Sequence, residues 1–207
     1  MSLFSLKETV KESCLRPRFN IAPSQKILAI RNTNSINTTS YFSWGISPRW
    51  ASKARRYRPI INARAETVPD KTTFSEAFRR RRCLIPATGY YEWFRTKENE
   101  KQPHLISVEG EKCFAMAALW EPSLNSSSPP SCVIVTRSAQ HRISEIHSRM
   151  PLIIDPKNYN NWLNSKISSS VVRGVLASPA TITLKARRVG DLVNSTKNDG
   201  PECTEPY

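Results

Sequence analysis

The sequence predicts an α+β domain with a mainly antiparallel sheet. Two observations lead to this fold class: strand-like runs dominate the chain, and helical signals are few and short. A third observation concerns size. The chain has 207 residues, of which 39% are hydrophobic, enough for a core that folds alone. We therefore expect a single domain over residues 1–207.

Seven runs have the composition of strands, because each is rich in β-branched or aromatic residues and is bounded by turn formers. They are Lys26–Arg31, Thr39–Trp44, Cys83–Trp93, His104–Val108, Cys113–Trp120, Cys132–Thr136 and Thr181–Lys185.

Three segments are expected to be helical. Thr73–Arg81 carries aromatic residues four apart on one face, and Asp155-Pro156 is typical of an N-cap that opens a helix through Leu163. Gln140–His147 is a third, shorter candidate. Loops are predicted at Asn32–Asn37, Glu121–Pro130 and Lys166–Ser170.

The charge balance points to a polyanionic partner. Lys and Arg number 31 against 17 Asp and Glu, a net charge of +14, and nucleic acid is the commonest polyanion. A generally basic enzyme is the alternative. No apolar run is long enough to span a bilayer, and the N-terminal stretch lacks the features of a signal peptide.

The cysteines indicate a reducing compartment. Five are scattered without a C-x-x-C pair, and with three histidines they show no ligand spacing. We therefore expect a cytoplasmic protein without a metal or other cofactor.

One basic segment also contains large aromatic residues. Trp44–Arg64 interleaves them with arginines, a mixture that suits single-stranded nucleic acid because aromatic faces stack bases while cations hold phosphates. Trp50 is the better stacking candidate, and Trp44, which ends a strand, is expected in the core. A second basic run, Arg79–Arg82, ends a helix. The helix dipole accounts for one or two of these cations, and the rest are expected to contact phosphate.

Glu92 is a candidate for proton transfer. It lies between Tyr91 and Trp93 at the end of an apolar strand, where desolvation raises the pKa of a carboxyl group. The alternative is an exposed residue, because Tyr91 and Trp93 point to the opposite side of the strand.

Two further segments carry candidate residues. His147 is a possible acid/base group, although a lone histidine is more often a packed or surface residue. Asn62 could hydrogen-bond a substrate, whereas Arg64 and Glu66 could equally form a structural ion pair.

Taken together, the motifs resemble the SOS response-associated peptidase (SRAP) family. The resemblance extends from Arg18 to the C-terminus with the family's order of blocks. The blocks are RFNIAPSQ (Arg18–Gln25), WGISPRW (Trp44–Trp50), INARAET (Ile61–Thr67), RRCLIPATGYYEW (Arg81–Trp93), IHSRMPLII (Ile146–Ile154) and VNSTKNDGPECTEP (Val193–Pro206).

The resemblance implies a compact domain around a barrel-like sheet that binds single-stranded DNA and traps abasic sites. In the family, the α-amine of residue 2 forms a Schiff base with the sugar aldehyde, and its cysteine thiol then closes a thiazolidine. By motif, Asn62 is expected to orient the N-terminal residue or sugar, Glu92 to assist ring opening, and His147 to act as acid/base. The implied DNA groove comprises Asn20, Pro23, Trp50, Arg64, Trp93 and Arg149.

The chain departs from the family at its start. It opens Met1-Ser2-Leu3-Phe4, where the family has Met-Cys-Gly-Arg. Ser2 could still form a Schiff base through its α-amine, with little durable crosslink. A non-catalytic module for single-stranded DNA, a peptidase that processes its own N-terminus, and an incorrectly assigned reading-frame start are the alternatives. We expect a monomer.

Overall fold

A computed structural model describes residues 4–6, 16–47, 58–123, 129–140, 142–179 and 182–207. No helix in these ranges is both long and apolar enough to cross a membrane. The strands there are β1 (Lys26–Thr33), β2 (Ile36–Trp44), β3 (Asn62–Arg64), β4 (Arg82–Ala87), β5 (Tyr90–Arg95), β6 (Lys101–Val108), β7 (Phe114–Glu121), β8 (Ser131–Ser138), β9 (Arg149–Pro151), β10 (Ile153–Ile154) and β11 (Leu184–Arg188). The α-helices are α1 (Ser75–Arg80), α2 (Ile143–Ile146), α3 (Tyr159–Leu163) and α4 (Ser169–Ala177), and short 3₁₀ helices cover Pro156–Asn158, Asp191–Asn194 and Pro201–Thr204.

The larger sheet is barrel-like, as predicted. It has eight strands, and its pairings run from β7 through β4, β1 and β2 to β8, which pairs with β7 again. All its pairs are antiparallel except β2–β8 and β3–β8. The prediction of an α+β fold with a mainly antiparallel sheet is therefore confirmed.

Strands β4, β7 and β8 bury both of their faces over most of their length. Along β4, Cys83 and Ile85 contribute to one apolar cluster and Leu84 to another, because successive side chains point to opposite sides of a strand. The first cluster also holds Phe42 and Phe114. Complete burial of one such apolar side chain, aliphatic or phenylalanine, stabilises a fold by about 1.5–3 kcal/mol. For that reason the sequences of these strands are continuous apolar runs and do not alternate strictly between apolar and polar residues.

Helices cover the outer side of the barrel. Trp162 of α3 is fully buried, and its indole N–H donates to the Cys83 carbonyl at 2.8 Å. Phe78 of α1 meets the Trp162 ring edge-on at a centroid distance of 6.4 Å. The Asp155 carboxylate caps the Pro156 turn by accepting from the Lys157 amide at 3.0 Å.

The observed bounds differ from the expected ones at several elements. The helices expected at Thr73–Arg81 and Gln140–His147 are shorter, at Ser75–Arg80 and Ile143–Ile146. The loop predicted at Lys166–Ser170 overlaps the start of α4, so that prediction was wrong in its second half. Val172 and Val175 explain the helix, since burial of one apolar face outweighs the serine-rich beginning.

A second, three-stranded sheet carries the candidate site. Its order is β11-β6-β5. Cys83–Trp93 was predicted as one strand, but it breaks at Thr88-Gly89, where the chain passes from one sheet to the other. A Cβ at Gly89 would lie 2.6 Å from Leu105 Cδ1 and 3.0 Å from the Ile106 carbonyl oxygen. A side chain at this crossing would displace the Leu105 side chain and crowd the Ile106 carbonyl, which favours glycine at the point where the chain changes sheets.

The basic run at the end of α1 is partly structural. Arg81 pairs with Glu76 and Glu121, and Arg82 is buried, its guanidinium donating to main-chain carbonyl groups. The acceptors of Arg82 are the carbonyls of Trp162, Phe78, Arg79 and Asn164, at 2.6–2.8 Å. Burial lowers the pKa of Arg82 to about 10, so it remains charged. Arg79 and Arg80 are exposed, and their contact with phosphate stays a prediction.

Candidate active site

Glu92 and His147 face each other, although they belong to distant parts of the chain. Glu92 Oε1 lies 3.6 Å from His147 Nδ1. Glu92 is the third residue of β5, and His147 follows directly after α2. Ile143 of α2 packs against Ile106 of β6, which fixes the helix on the three-stranded sheet. The packing of one small helix therefore brings together two residues that sequence reasoning could not place side by side.

The environment of Glu92 favours its protonated form. Its side chain is 23% exposed, and this desolvation raises the pKa of the carboxyl group, while the nearby His147 acts in the opposite direction. A raised pKa brings the titration of a carboxyl group closer to neutral pH, where it can both give and take a proton. The exposed-residue interpretation of Glu92 does not fit this burial.

The main chain of Arg149 can bind His147 Nδ1 whether or not that nitrogen carries a proton. The Arg149 amide N–H donates to His147 Nδ1 at 3.1 Å when that nitrogen is unprotonated. When it carries a proton, the Arg149 carbonyl oxygen lies 2.9 Å away as an acceptor. The imidazole is thus held in one orientation in either tautomer, which suits a group that exchanges protons.

The side chain of Arg149 forms an ion pair with Glu66. Its guanidinium donates to both carboxylate oxygens at 2.7 and 2.9 Å, and to the Thr136 carbonyl at 2.6 Å. Hydrogen bonding from Arg149 is the main reason that the pKa of Glu66 falls to about 2. Glu66 thus pairs with Arg149 and not with Arg64, the partner that the sequence suggested.

Asn62 and Arg64 lie on β3, next to β8, the strand that precedes α2 and His147 in the chain. Both are exposed, while Ala63 between them is buried. β3 pairs with β8, so that Arg64 stands opposite Thr136, which also accepts from Arg149. β3 and β9 lie on either side of β8, with Arg64 opposite Thr136 and Arg149 opposite Ser138.

Comparison with known sequences identifies the family of this chain. A family model described as SOS response associated peptidase (SRAP) matches residues 2–196. The chain belongs to the SRAP family. The abasic site processing protein YoqW of Bacillus subtilis (strain 168) is 35% identical over 207 residues, which cover 99% of this chain and 92% of YoqW. The abasic site processing protein YedK of Escherichia coli (strain K12) is 29% identical over 193 residues, covering 91% and 84% of the two chains.

A solved structure has the same fold as this SRAP chain. The crystal structure of a protein from Bacteroides thetaiotaomicron superimposes with a TM-score of 0.74 at 26% identity. The match covers 89% of this chain and 82% of that one.

Two residues expected in the DNA groove of the SRAP protein contact its C-terminal segment. Asn20 is buried, and its amide donates to the carbonyls of Val193, Ser195 and Asn198 at 3.0–3.1 Å. Trp93 is half-buried on the opposite face of β5 from Glu92, and its indole N–H donates to Asn194 Oδ1 at 2.7 Å. These contacts give both residues a structural role, and their contact with DNA stays a prediction.

The remaining predicted residues are exposed or lie outside the described residues. Pro23 is exposed in the turn that precedes β1. Ser2 and Trp50 lie outside the described residues. The described residues contain no group of three or more His, Cys, Asp or Glu that could hold a metal ion.

Sequence reasoning missed one organising residue. Asp199 accepts from the amides of Phe19 and Asn20 at 2.8 Å each, and also pairs with Arg18. It thereby joins the first and last family blocks, Arg18–Gln25 and Val193–Pro206. An aspartate beside Gly200 in a polar segment is an ordinary turn signal, so only the fold reveals its long-range role.

Proposed function

We propose that this SRAP protein processes abasic sites in single-stranded DNA, acting as a monomer. The observation that carries the proposal is the 3.6 Å approach of the desolvated Glu92 carboxyl to His147. Relatives named abasic site processing proteins, which align over most of the chain, support it. The net charge of +14 supports a DNA partner, since cations that neutralise phosphates dominate such binding.

The first chemical step opens the closed abasic sugar. A base takes the proton of the C1′ hydroxyl, an acid protonates the ring oxygen, and the bond between C1′ and that oxygen breaks to leave an aldehyde and a 4′-hydroxyl. A protonated Glu92 can supply the proton to the ring oxygen because its pKa is raised. His147 can take up the hydroxyl proton and holds it for the next step.

The second step joins the protein to the sugar. The α-amine of Ser2, exposed when Met1 is removed, attacks C1′, and a proton moves from its nitrogen to the former aldehyde oxygen to give a carbinolamine. His147 then gives the proton that it took from the C1′ hydroxyl to the departing hydroxyl, and water leaves. The Glu92 carboxylate takes the N–H proton of the resulting iminium, which leaves an imine and restores both groups to their starting states. An α-amine titrates near about 8, so a substantial fraction is nucleophilic at neutral pH. Asn62 is the residue proposed to orient the amine or the sugar.

DNA is proposed to lie across the end of the barrel. The exposed Arg64 contributes a phosphate contact, and Trp50 a stacking surface for a base worth about 1–3 kcal/mol. Arg149 is proposed to contact phosphate with the side of its guanidinium that does not face Glu66. Asn20, Pro23 and Trp93 are proposed to line the same groove, beside the turn that precedes β1.

Borohydride trapping tests the proposal. A single-stranded oligonucleotide with one abasic site is mixed with the purified protein and the reductant, and the covalent product is measured on a denaturing gel. We expect trapping by the wild type and strong loss in Glu92→Gln and His147→Asn. Glu145→Gln is the matched control, because Glu145 is exposed on the same short helix that precedes His147. Equal trapping by all three variants would contradict the assigned roles.

A non-catalytic binding module is the second candidate function. The observation that favours it is serine at position 2, where the family has cysteine. This candidate predicts salt-dependent binding of single-stranded DNA without a product trapped by borohydride. The same experiment therefore separates the two functions.

A further inference from the structure

The hydroxyl of Tyr90 is buried and has no hydrogen-bond partner among the described residues. Buried hydroxyl groups in proteins nearly always have a partner, because leaving one unpaired is destabilising. Tyr91, its neighbour, follows that rule, since its hydroxyl lies 2.8 Å from the Phe19 carbonyl oxygen and 3.2 Å from that of Cys203. The unpaired hydroxyl is thus particular to Tyr90.

Tyr90 lies on the same face of β5 as Glu92. Residues two apart on a strand point to the same side, so Tyr90 and Glu92 face α2 while Tyr91 faces the C-terminal segment. Tyr90 packs against the cluster formed by Ile106, Ile143 and Met150, and also against the apolar cluster inside the barrel. It therefore lies beside the segment that carries His147 and shares a face of β5 with Glu92, whose charge acts on its hydroxyl.

The chemistry of this hydroxyl is that of a neutral donor. Burial, together with the charge of Glu92, raises the pKa of Tyr90 above its ordinary value of 10.0. The group consequently keeps its proton throughout the neutral range and cannot serve as a base. A donor of this kind, lacking a protein acceptor, fits an oxygen atom of a ligand.

We propose that Tyr90 is a further binding residue of the site, whose hydroxyl donates to the C1′ oxygen of the abasic sugar. The inference rests on the proposed function, because it assigns the ligand of the same site. The C1′ oxygen is the atom that becomes the aldehyde oxygen on ring opening, beside Glu92 and His147. Tyr90 would hold that oxygen while the two acid/base groups transfer protons, and would distinguish the abasic sugar from a sugar without it.

Binding to two unreactive oligonucleotides tests the inference. One carries a borohydride-reduced abasic site, which keeps the C1′ oxygen, and the other a tetrahydrofuran site, which lacks it. We expect the wild type to prefer the reduced site and Tyr90→Phe to lose about fivefold to tenfold of that preference, as the loss of one hydrogen bond predicts. Tyr91→Phe is the matched control and should keep the preference.

Thermal unfolding supplies a readout that does not depend on the ligand. Tyr90→Phe should melt at or above the wild-type temperature because its hydroxyl has no acceptor to lose, whereas Tyr91→Phe should melt lower. If Tyr90→Phe is destabilised as much as Tyr91→Phe, the hydroxyl is structural and the inference is wrong.

The outcomes for the wild type separate this inference from the proposed function. If the wild type prefers the reduced site and Tyr90→Phe retains the full preference, the Tyr90 assignment alone fails. A wild type without any preference also overturns the assignment. Borohydride trapping of a reactive abasic strand by the wild type then shows whether the proposed function fails with it.

Discussion

The carboxylate of Glu66 binds the guanidinium of Arg149 through both oxygens, at 2.7 and 2.9 Å. Arg149 lies two residues after His147 and contacts its imidazole through the main chain. The ion pair thus connects the segment after β3 to the strand that orients His147. It also neutralises a cation that the resemblance places in the DNA groove. We therefore expect the ion pair to stabilise the fold but to weaken DNA binding.

Glu66→Gln should strengthen the binding of single-stranded DNA. With the carboxylate removed, Arg149 is free to contact phosphate, and one additional contact steepens the dependence of log K on log salt by about 0.7 for a single strand. Fluorescence anisotropy over a salt series measures both quantities. Glu145→Gln makes the same change in charge on an exposed residue, whereas the ion pair of Arg149 is with Glu66. Identical slopes in the two variants would mean that net charge alone is responsible.

The same ion pair should make stability depend on pH in the acid range. The pKa of Glu66 falls from 4.5 to about 2, chiefly through the hydrogen bond from Arg149. Its contribution is therefore complete above about pH 4.5 and disappears as the pH falls toward 2. Because half of the Glu66 side chain is exposed, we expect no more than about 1 kcal/mol.

Urea unfolding at several pH values checks this expectation. The difference in unfolding free energy between the wild type and Glu66→Gln should shrink as the pH decreases from about 6 to about 3. A difference that stays constant over this range would show that the Glu66 charge contributes nothing.

Arg82→Met should be among the most destabilising substitutions of a charged residue in this chain. Removal of the guanidinium leaves buried carbonyls unpaired at the ends of α1 and α3, which costs about 3–5 kcal/mol. Arg80→Met is the control, since Arg80 is exposed in the same basic run. Urea unfolding should separate the two variants clearly. Equal stabilities would contradict the structural role of Arg82.

The sequence predicted the strands of the sheet better than it predicted the function of individual cations. Apolar runs such as Cys113–Trp120 identify a strand because both faces of β7 are buried. A run of arginines carries no comparable signal. Arg82 looks like its neighbours in the sequence, and only the approach of α3 turns it into a buried cap.

The candidate site was predicted residue by residue but not as an arrangement. Glu92 could be singled out because two large aromatic residues flank it. Its contact with His147 depends on the turn at Gly89 and on the packing of Ile143, neither of which local patterns describe. The long-range role of Asn20 was missed for the same reason, because its acceptors lie in a segment near the other end of the chain.

Phe114→Ala and Glu92→Gln should differ sharply in their effects on stability. Phe114 is buried at 4% exposure inside the barrel, and its truncation should cost about 3–5 kcal/mol. Glu92→Gln preserves the shape of a partly desolvated side chain and should change the unfolding free energy little. Thermal melts measure both. If Glu92→Gln were as damaging as Phe114→Ala, Glu92 would be a structural residue and its proposed catalytic role would lose support.

The final prediction concerns residue 2, where this chain has serine and its family cysteine. An imine formed by the α-amine of Ser2 is reversible, and closure of a ring by the serine oxygen should be less durable than closure by sulfur. We therefore expect the wild type to give a product with abasic DNA that reductant traps but heat destroys. Placing Met-Cys-Gly-Arg in front of Phe4 should yield a heat-stable adduct, because the thiol can close a thiazolidine.

The engineered gain is the stronger half of this test, since it requires Glu92 and His147 to work in a chain that otherwise remains unchanged. The adduct is measured on a denaturing gel after heating, and intact mass shows whether Met1 has been removed. Glu92→Gln in the engineered protein should slow the appearance of the adduct, because sugar opening still needs a proton at the ring oxygen. A heat-stable crosslink formed by the wild type itself would contradict the argument from the missing sulfur. Absence of a product in both proteins would leave the binding-module function, with a pocket that holds the sugar but does not react with it.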